Sequence, residues 1–411
     1  MGNILDYAKE VTDSFEEKPF CEVDSLILSQ LSYLDFSGLV PSTLDAPVLL
    51  SDIVSDSAVA ALTHRDRVPE LDSRLVRGLA ANPRFQGLRL GGYVNIIDKE
   101  AEEQFSAMTF LLKDFTYVAF RGTDSSYVAW KEDFNLAFLS PVPAQEAGAA
   151  YLDWVAGAVP GELRAGGHSK GGNIAVYSSL FCSPETRKRI FRCYSHDGPG
   201  FPEGVLQSPE FAEMESRLHK TIPQSSLVGL LLQHQENYRI IRSDQFWILQ
   251  HDPYSWLVTD GDFEYLESLS YGARFLDQNL NAWIASLSPE ELSNFADALY
   301  KVLQALPGDS FSDAPDKWWL AAAETLNGLR GLDKDTYSCI LHTVSSLFSL
   351  PISRIKLPSL SKPELGSPKL GTPELGALGL KLPQVPAPKQ KTNSPPPFLA
   401  EDFLRKLPFR K

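Results

Sequence analysis

The sequence predicts an α/β fold in which helices flank one mostly parallel β-sheet. Two observations support this prediction. From about residue 90 to residue 250, short β-rich segments alternate with helix-forming segments, which is typical of a doubly wound sheet. One of these segments, Phe115–Phe120, is apolar almost throughout, as expected for a strand buried on both faces. We therefore expect functional groups at the carboxyl ends of the strands.

Composition limits the class of protein. The 411 residues suffice for one large α/β domain with additional segments, and the mean hydropathy of −0.15 is that of a water-soluble chain. The sequence has no apolar run of about 18 residues and no secretion signal, so it predicts a cytoplasmic protein without a transmembrane segment. Four scattered cysteines without C-x-x-C spacing predict reduced thiols and no metal site.

The net charge of −14 is unevenly distributed. Residues 351–411 contain 11 basic and 4 acidic residues, whereas the rest of the chain contains 27 basic and 48 acidic residues. An acidic body argues against nucleic acid as a partner. The same 61 residues contain 12 of the 29 prolines and three near-copies of x-P-x-L-G. This composition predicts a disordered basic tail, which suits a protein partner or an anionic surface.

Residues 1–85 are predicted to form a helical cover of the sheet. Asp24 is the expected N-cap of a helix that ends near Leu34. A second helix is expected from Ser51 to about Leu62, and Asn82 with Pro83 should end a third.

The predicted core, residues 86–261, contains the strands. Expected strands are 93–97, 104–112, 115–120, 163–167 and 190–194, with further strand signals at 226–232, 238–241 and 246–249. Helices are expected at 144–158 and 173–181, and from Ser208 to about Leu218. Residues 262–350 should form a helical region that caps the active site or contacts a partner.

The segment from Gly167 to Gly172 carries a G-x-S-x-G pattern between a predicted strand and a predicted helix. In a nucleophile elbow the serine occupies a sharp, strained turn that leaves no room for a Cβ two residues away. Gly167 and Gly171 stand at those positions, and Gly172 allows the helix to pack closely. Ser169 is therefore the predicted nucleophile. A glycine-rich turn with an incidental serine is the alternative.

A serine hydroxyl needs a base, and the base needs a group that fixes its tautomer. In this type of fold the chain order is serine, acid, histidine. His251 is the favoured base because it follows the last strand signal, in a loop rich in aromatic residues; the other histidines after the serine are His196, His219, His234 and His342. His168, next to the serine, is expected to point away from it.

Asp197 is the candidate acid because it follows a predicted strand and begins an Asp-Gly-Pro-Gly loop. Asp before Gly-Pro is also an ordinary turn former, so this assignment stays open. Asp244 and Glu236 are rivals, whereas Asp252 is too close to His251 along the chain to orient its ring.

A tetrahedral intermediate needs backbone N–H donors. One is expected from Lys170, directly after the serine, and another from the loop after an earlier strand. Thr123 lies in such a loop, Phe120-Arg121-Gly122-Thr123-Asp124, and offers both its N–H and its hydroxyl. A purely structural turn is the alternative for this loop.

Two motifs in this order, Val118–Thr123 and Gly167–Gly172, resemble the fungal-type, class-three lipase branch of the α/β-hydrolases. The span from about Tyr7 to Val258 more closely resembles a bacterial lipase-like family of unknown function. The likeness implies that Ser169 is the nucleophile and His251 the base, and that Thr123 and Lys170 are oxyanion donors.

The sequence departs from that likeness at two positions. Class-three lipases carry their acid after the next strand, where Ser226 stands in this chain. Either Asp197 replaces that acid or the triad is incomplete. Lys170 replaces the usual apolar residue, and its charge either favours an anionic substrate or reaches solvent.

Together these features predict a serine hydrolase of esterase or lipase type, with no cofactor and no metal. Its substrate is expected to be a small-molecule or lipid acyl ester, cleaved through a Ser169 acyl-enzyme. One alternative is a non-catalytic lipase-like scaffold or interaction module, suggested by the missing acid. Another is an acyltransferase or thioesterase that uses the same serine.

Overall fold

The computed structural model describes residues 2–63, 68–98, 103–122, 140–226, 228–231, 237–245, 247–270 and 273–274. Several predictions concern residues outside these ranges. They include the oxyanion donor Thr123, the rival acid Glu236, and the histidines at 234 and 342. Most of the expected helical region 262–350 and the whole tail 351–411 also lie outside the described residues.

One large sheet organises the described part of the chain. Its nine strands are β1 (Val48–Leu49), β2 (Arg89–Asp98), β3 (Glu103–Leu111), β4 (Phe115–Phe120), β5 (Glu162–His168), β6 (Ile190–His196), β7 (Leu218–Pro223), β8 (Tyr238–Ile241) and β11 (Tyr265–Leu266). They lie side by side in the order β1-β2-β3-β4-β5-β6-β7-β8-β11. The four pairings from β4 to β8 are parallel, and the remaining pairings are antiparallel. A separate antiparallel pair joins β9 (Val258–Thr259) to β10 (Asp262–Phe263).

The prediction of an α/β fold with a mostly parallel centre is confirmed, but the doubly wound arrangement is wrong. A doubly wound sheet reverses its strand order at a switch point. In this sheet the order follows the chain from β1 to β8 without reversal. Because crossovers between parallel strands are right-handed, strands in this sequential order have all their connecting helices on the same face of the sheet.

The two faces of the sheet bury different helices, and β4 shows the alternation. Its residues Phe115, Tyr117 and Ala119 belong to a core shared with the N-terminal helices. Val118 and Phe120 belong to a second core, shared with the helices that connect the parallel strands. All six residues of β4 are buried, as expected for a central strand.

Most of the predicted helices are present, but several begin or end at other residues than expected. Their bounds are α1 (Ile4–Glu10), α2 (Glu22–Leu31), α3 (Asp56–Leu62), α4 (Pro69–Ala81), α5 (Pro143–Ala158), α6 (Lys170–Phe181), α7 (Pro184–Arg189), α8 (Glu203–Leu206) and α9 (Pro209–Met214). The expected N-cap Asp24 is wrong, because Cys21 caps α2 and the Asp24 carboxylate accepts the Cys21 N–H. Residues Leu50–Ile53 form a short 3-10 helix ahead of α3, which Ser55 caps.

Two predictions near the end of the described chain are wrong, and one strand was not predicted. The expected helix to about Leu218 is confirmed, because α9 continues as the 3-10 helix Glu215–Arg217, but β7 then follows where no strand was predicted. The described part of the apolar run at 246–249 belongs to a 3-10 helix, Trp247–His251, and not to a strand. The expected helical region begins with the strands β10 and β11, the second of which completes the sheet. No helix among the described residues is both long and apolar enough to cross a bilayer.

Candidate active site

Ser169 lies on the turn between β5 and α6, where the strand ends and the helix begins. Its backbone has φ 60° and ψ −133°, a left-handed region that non-glycine residues seldom occupy. Such strain persists only where the surrounding structure imposes it, and it is concentrated at functional sites. The Ser169 N–H donates to the carbonyl of His196 over 2.9 Å, which ties the turn to the end of β6.

The glycines on either side of the serine are required by space. A Cβ at Gly167 would lie 2.2 Å from the backbone carbon of Gly171. A Cβ at Gly171 would lie 2.1 Å from the carbonyl oxygen of Phe120, at the end of β4. A Cβ at Gly172 would lie 2.7 Å from the Ser195 hydroxyl. The elbow can therefore pack against β4 and β6 only because these three positions lack side chains.

His251 ends the 3-10 helix Trp247–His251 and reaches back to the serine. Its Nε2 lies 2.9 Å from the Ser169 Oγ, and its Nδ1 lies 2.6 Å from Oδ2 of Asp197. A carboxylate only accepts hydrogen bonds, so the Nδ1 carries the proton and the Nε2 accepts from the serine. The imidazole is thus held in the tautomer that lets it take the serine proton.

Asp197 follows β6 directly and also has a left-handed backbone, with φ 51°. Its side chain is buried, and its N–H donates to the Thr221 carbonyl over 2.8 Å. Oδ2 faces His251, while Oδ1 accepts from the Ser226 hydroxyl over 2.5 Å and from the Gly229 N–H over 3.1 Å. The carboxylate therefore has a partner on each oxygen.

The structure brings together three of the predicted site residues, Ser169, His251 and Asp197. The rival Asp244 is exposed, and its N–H pairs with the Ser255 carbonyl. Among the other histidines, His219 contacts Glu22 at 3.2 Å, away from the elbow.

Lys170 is the first residue of α6, so its N–H is at the helix end that faces the elbow. Of the two alternatives for its charge, the one in which it reaches solvent is wrong, because the residue is buried and its Nζ donates to the Gln104 carbonyl over 3.2 Å. Gly122, just before Thr123, packs closely here, since a Cβ on it would lie 2.6 Å from the His168 carbonyl oxygen. The oxyanion assignment of Thr123 and Lys170 stays a prediction.

His168 contacts His251, which the sequence did not predict. Its ring centroid lies 4.5 Å from that of His251, and its Nε2 donates to the His251 carbonyl over 2.8 Å. Its Nδ1 lies 3.1 Å from the Tyr33 hydroxyl, which donates to it in this tautomer. His168 therefore contacts both the backbone and one ring face of His251. The Gly-His-Ser sequence shows that a histidine precedes Ser169, but it does not show that this histidine contacts His251.

Asn173, in the first turns of α6, connects the elbow helix to the loop that follows the acid. Its Nδ2 donates to the carbonyls of Pro199 and Gly200 at 3.2 and 2.9 Å, and its Oδ1 accepts from Gln145 at 2.7 Å. Because the residue is buried, these bonds are not shared with solvent. One amide side chain thus links the elbow helix to the loop that follows Asp197.

His196 lies at the end of β6 beneath the site and is fully buried. Burial lowers the pKa of its imidazole to about 3, so the ring is neutral at pH 7. Its two ring nitrogens lie 2.8 Å from the hydroxyls of Ser25 and Thr221. This histidine is therefore a satisfied core residue and not a second base.

The fold and the site define an α/β protein with a contiguous Ser–His–Asp arrangement at the carboxyl edge of its sheet. The chain belongs to the Mbeg1-like family, a lipase-like family whose model matches residues 79–301, more than half of the chain. The match begins inside α4 and extends past residue 261, where a boundary was expected. A search of curated proteins finds no match.

Proposed function

We propose that the protein is a serine hydrolase of esterase or lipase type, which cleaves an acyl ester through an acyl-enzyme on Ser169. The observation that carries the proposal is the hydrogen-bonded chain from Ser169 through His251 to Asp197, with contacts of 2.9 and 2.6 Å. The lipase-like family match supports the same class of reaction. Hydrolases with this arrangement activate a serine hydroxyl that is otherwise a poor nucleophile.

In the first step the Ser169 Oγ attacks the ester carbonyl carbon while the His251 Nε2 takes the hydroxyl proton. Asp197 accepts the Nδ1–H and stabilises the imidazolium that forms. The carbonyl oxygen becomes an oxyanion, for which we propose the backbone N–H of Lys170 and a donor from Thr123. The C–O bond to the leaving alcohol then breaks, and His251 returns the proton to that alcohol.

Water completes the cycle by the same steps. His251 removes a proton from the water as its oxygen attacks the acyl carbon. The second tetrahedral intermediate collapses, the bond to the Ser169 oxygen breaks, and the hydroxyl regains its proton from the imidazolium. The products are a carboxylic acid and the free enzyme. The scaffold alternative rested on a missing acid, and the 2.6 Å contact between Asp197 Oδ2 and His251 Nδ1 supports the hydrolase proposal instead.

A phosphonofluoridate probe and a short-chain p-nitrophenyl ester test the proposal. The probe should label the wild type and not Ser169→Ala. Ester hydrolysis should fall on the order of 10⁴-fold or more in Ser169→Ala and His251→Ala, and about 10⁴-fold in Asp197→Asn.

Matched controls are His219→Ala and Asp244→Asn, which remove the same chemical groups away from the elbow. Both should keep the wild-type rate. Labelling of Ser169→Ala, or a wild type that neither reacts with the probe nor cleaves the ester, would contradict the proposal.

A further inference from the structure

Two features of Asp197, its backbone conformation and the burial of its carboxylate, bear on how its side chain is oriented. Asp197 lies one residue past β6 in a left-handed conformation, so the sheet does not dictate where its side chain points. Its carboxylate is buried, so solvent does not hold the second oxygen. Something other than the strand must fix the rotation of the carboxylate group.

Two donors from the loop after β7 contact that second oxygen. The Ser226 hydroxyl lies 2.5 Å from Oδ1, and the Gly229 N–H lies 3.1 Å from the same atom. The Gly229 N–H also lies 2.9 Å from the Ser226 Oγ. Because the Oγ accepts from this N–H, its own proton is directed at the carboxylate. A distance of 2.5 Å falls within the range of a charge-assisted O–H···O⁻ bond.

The packing around this pair leaves little freedom. Ser226 is buried, and its N–H closes a turn onto the Pro223 carbonyl at the end of β7. A Cβ at Gly229 would lie 2.3 Å from Oδ1 of Asp197, so the N–H approaches the carboxylate only because this residue is glycine. The hydroxyl and the N–H thus form a preformed cradle for one oxygen.

We propose that Ser226, assisted by the Gly229 N–H, is a positioning residue that orients Asp197 toward His251. This inference rests on the proposed function, because it assigns a role within the same site. With Oδ1 held by Ser226, Oδ2 stays aligned with the Nδ1–H while the imidazole gains and returns its proton. Without the hydroxyl the carboxylate can rotate, and the base loses its fixed orientation.

Ser226→Ala should therefore lower kcat about 10- to 100-fold, the effect of losing a hydrogen bond to a charged group. KM should stay within about twofold, because the hydroxyl is directed at Asp197 and not at substrate. Ser225→Ala is the matched control, since this neighbouring hydroxyl donates to Ser270 instead. It should leave both constants unchanged.

The hydrogen-bonded Nδ1 proton of His251 provides a readout that does not require turnover. In ¹⁵N-histidine-labelled protein its downfield resonance, assigned by its loss in His251→Ala, should shift in Ser226→Ala and not in Ser225→Ala. Ser226→Cys, which keeps the shape but is a weak donor, should behave like the alanine variant and covers the case in which Ser226→Ala does not fold.

A Ser226→Ala or Ser226→Cys protein with wild-type kcat and an unshifted resonance would overturn the inference. So would a lower kcat without a change in the resonance. Ser169→Ala in the same assay separates the two proposals. If that variant keeps the wild-type rate, the proposed function has failed. If it is inactive while Ser226→Ala behaves as wild type, only the positioning role has failed.

Discussion

Replacing Gly171 by alanine tests the packing of the elbow without changing any of the proposed catalytic side chains. A Cβ at this position would lie 2.1 Å from the Phe120 carbonyl oxygen and 2.9 Å from the Gly122 nitrogen. Both are backbone atoms, so no side-chain rotation relieves the clash. Ordinary contact begins near 3.4 Å, so α6 and the end of β4 must separate by about 1.3 Å.

The separation has two measurable consequences. Overpacking against rigid neighbours should lower the free energy of unfolding by about 3 kcal/mol, the upper part of the usual range. The same shift moves Ser169 away from the loop that carries Gly122. A displacement of about 1 Å in a catalytic arrangement costs on the order of 10²-fold in rate. We expect both effects in Gly171→Ala.

Gly157→Ala is the matched control, because Gly157 is an exposed residue of α5 with no atom within 4 Å of an added Cβ. Alanine there should stabilise the protein by about 0.5–1 kcal/mol through helix propensity and a less flexible unfolded chain. Urea unfolding followed by tryptophan fluorescence compares the two variants, and ester hydrolysis gives the rates. If Gly171→Ala unfolds at the wild-type urea concentration and keeps the wild-type rate, the close-packed elbow is refuted.

Two further predictions concern buried ionisable groups. Asp24→Asn should lower the free energy of unfolding by about 3–5 kcal/mol, because it leaves the fully buried Arg84 without its counter-charge. The control Asp56→Asn, which breaks an exposed ion pair with Arg77, should leave the urea midpoint unchanged. His196 has a folded-state pKa of about 3 against 6.5 when unfolded, so the unfolded chain binds the extra proton between these values. Stability from this group is complete above pH 6.5 and falls by up to about 1.4 kcal/mol per pH unit below it. Urea midpoints between pH 4 and 7 should therefore depend less on pH in His196→Asn, and an equal dependence in both proteins would exclude this histidine as the cause.

Local patterns predicted the elements near the elbow because each is specified by adjacent residues. The apolar run of β4 and the glycine pattern around Ser169 are recognisable in the sequence before their distant packing partners are known. His251 was expected close to Ser169, and its Nε2 lies 2.9 Å from the Ser169 Oγ, although the residues before it form a 3-10 helix and not a strand. Chain order and the position of the loop were sufficient there.

Predictions failed where a distant partner makes a polar residue suitable for the interior. The strand β7 was missed because Lys220 and Thr221 break its apolar pattern, yet both are buried. Thr221 is satisfied by the ring of His196, on the neighbouring strand. Asp24 is not the N-cap but the third residue of α2, and its buried carboxylate also pairs with Arg84, which lies 60 positions away. No local window contains these pairs, so propensity and periodicity could not find them.

The N-terminal segment does more than cover the sheet. Gly2 pairs with Val258 in both directions, at 3.0 and 2.8 Å, and the Asn3 amide donates to the Tyr254 carbonyl over 2.8 Å. These contacts hold the chain just beyond His251. The Tyr254 hydroxyl in turn donates to the buried Asp72 of α4. The position of His251 therefore depends on residues some 250 places earlier, because the segment around it is held by the elements packed against it.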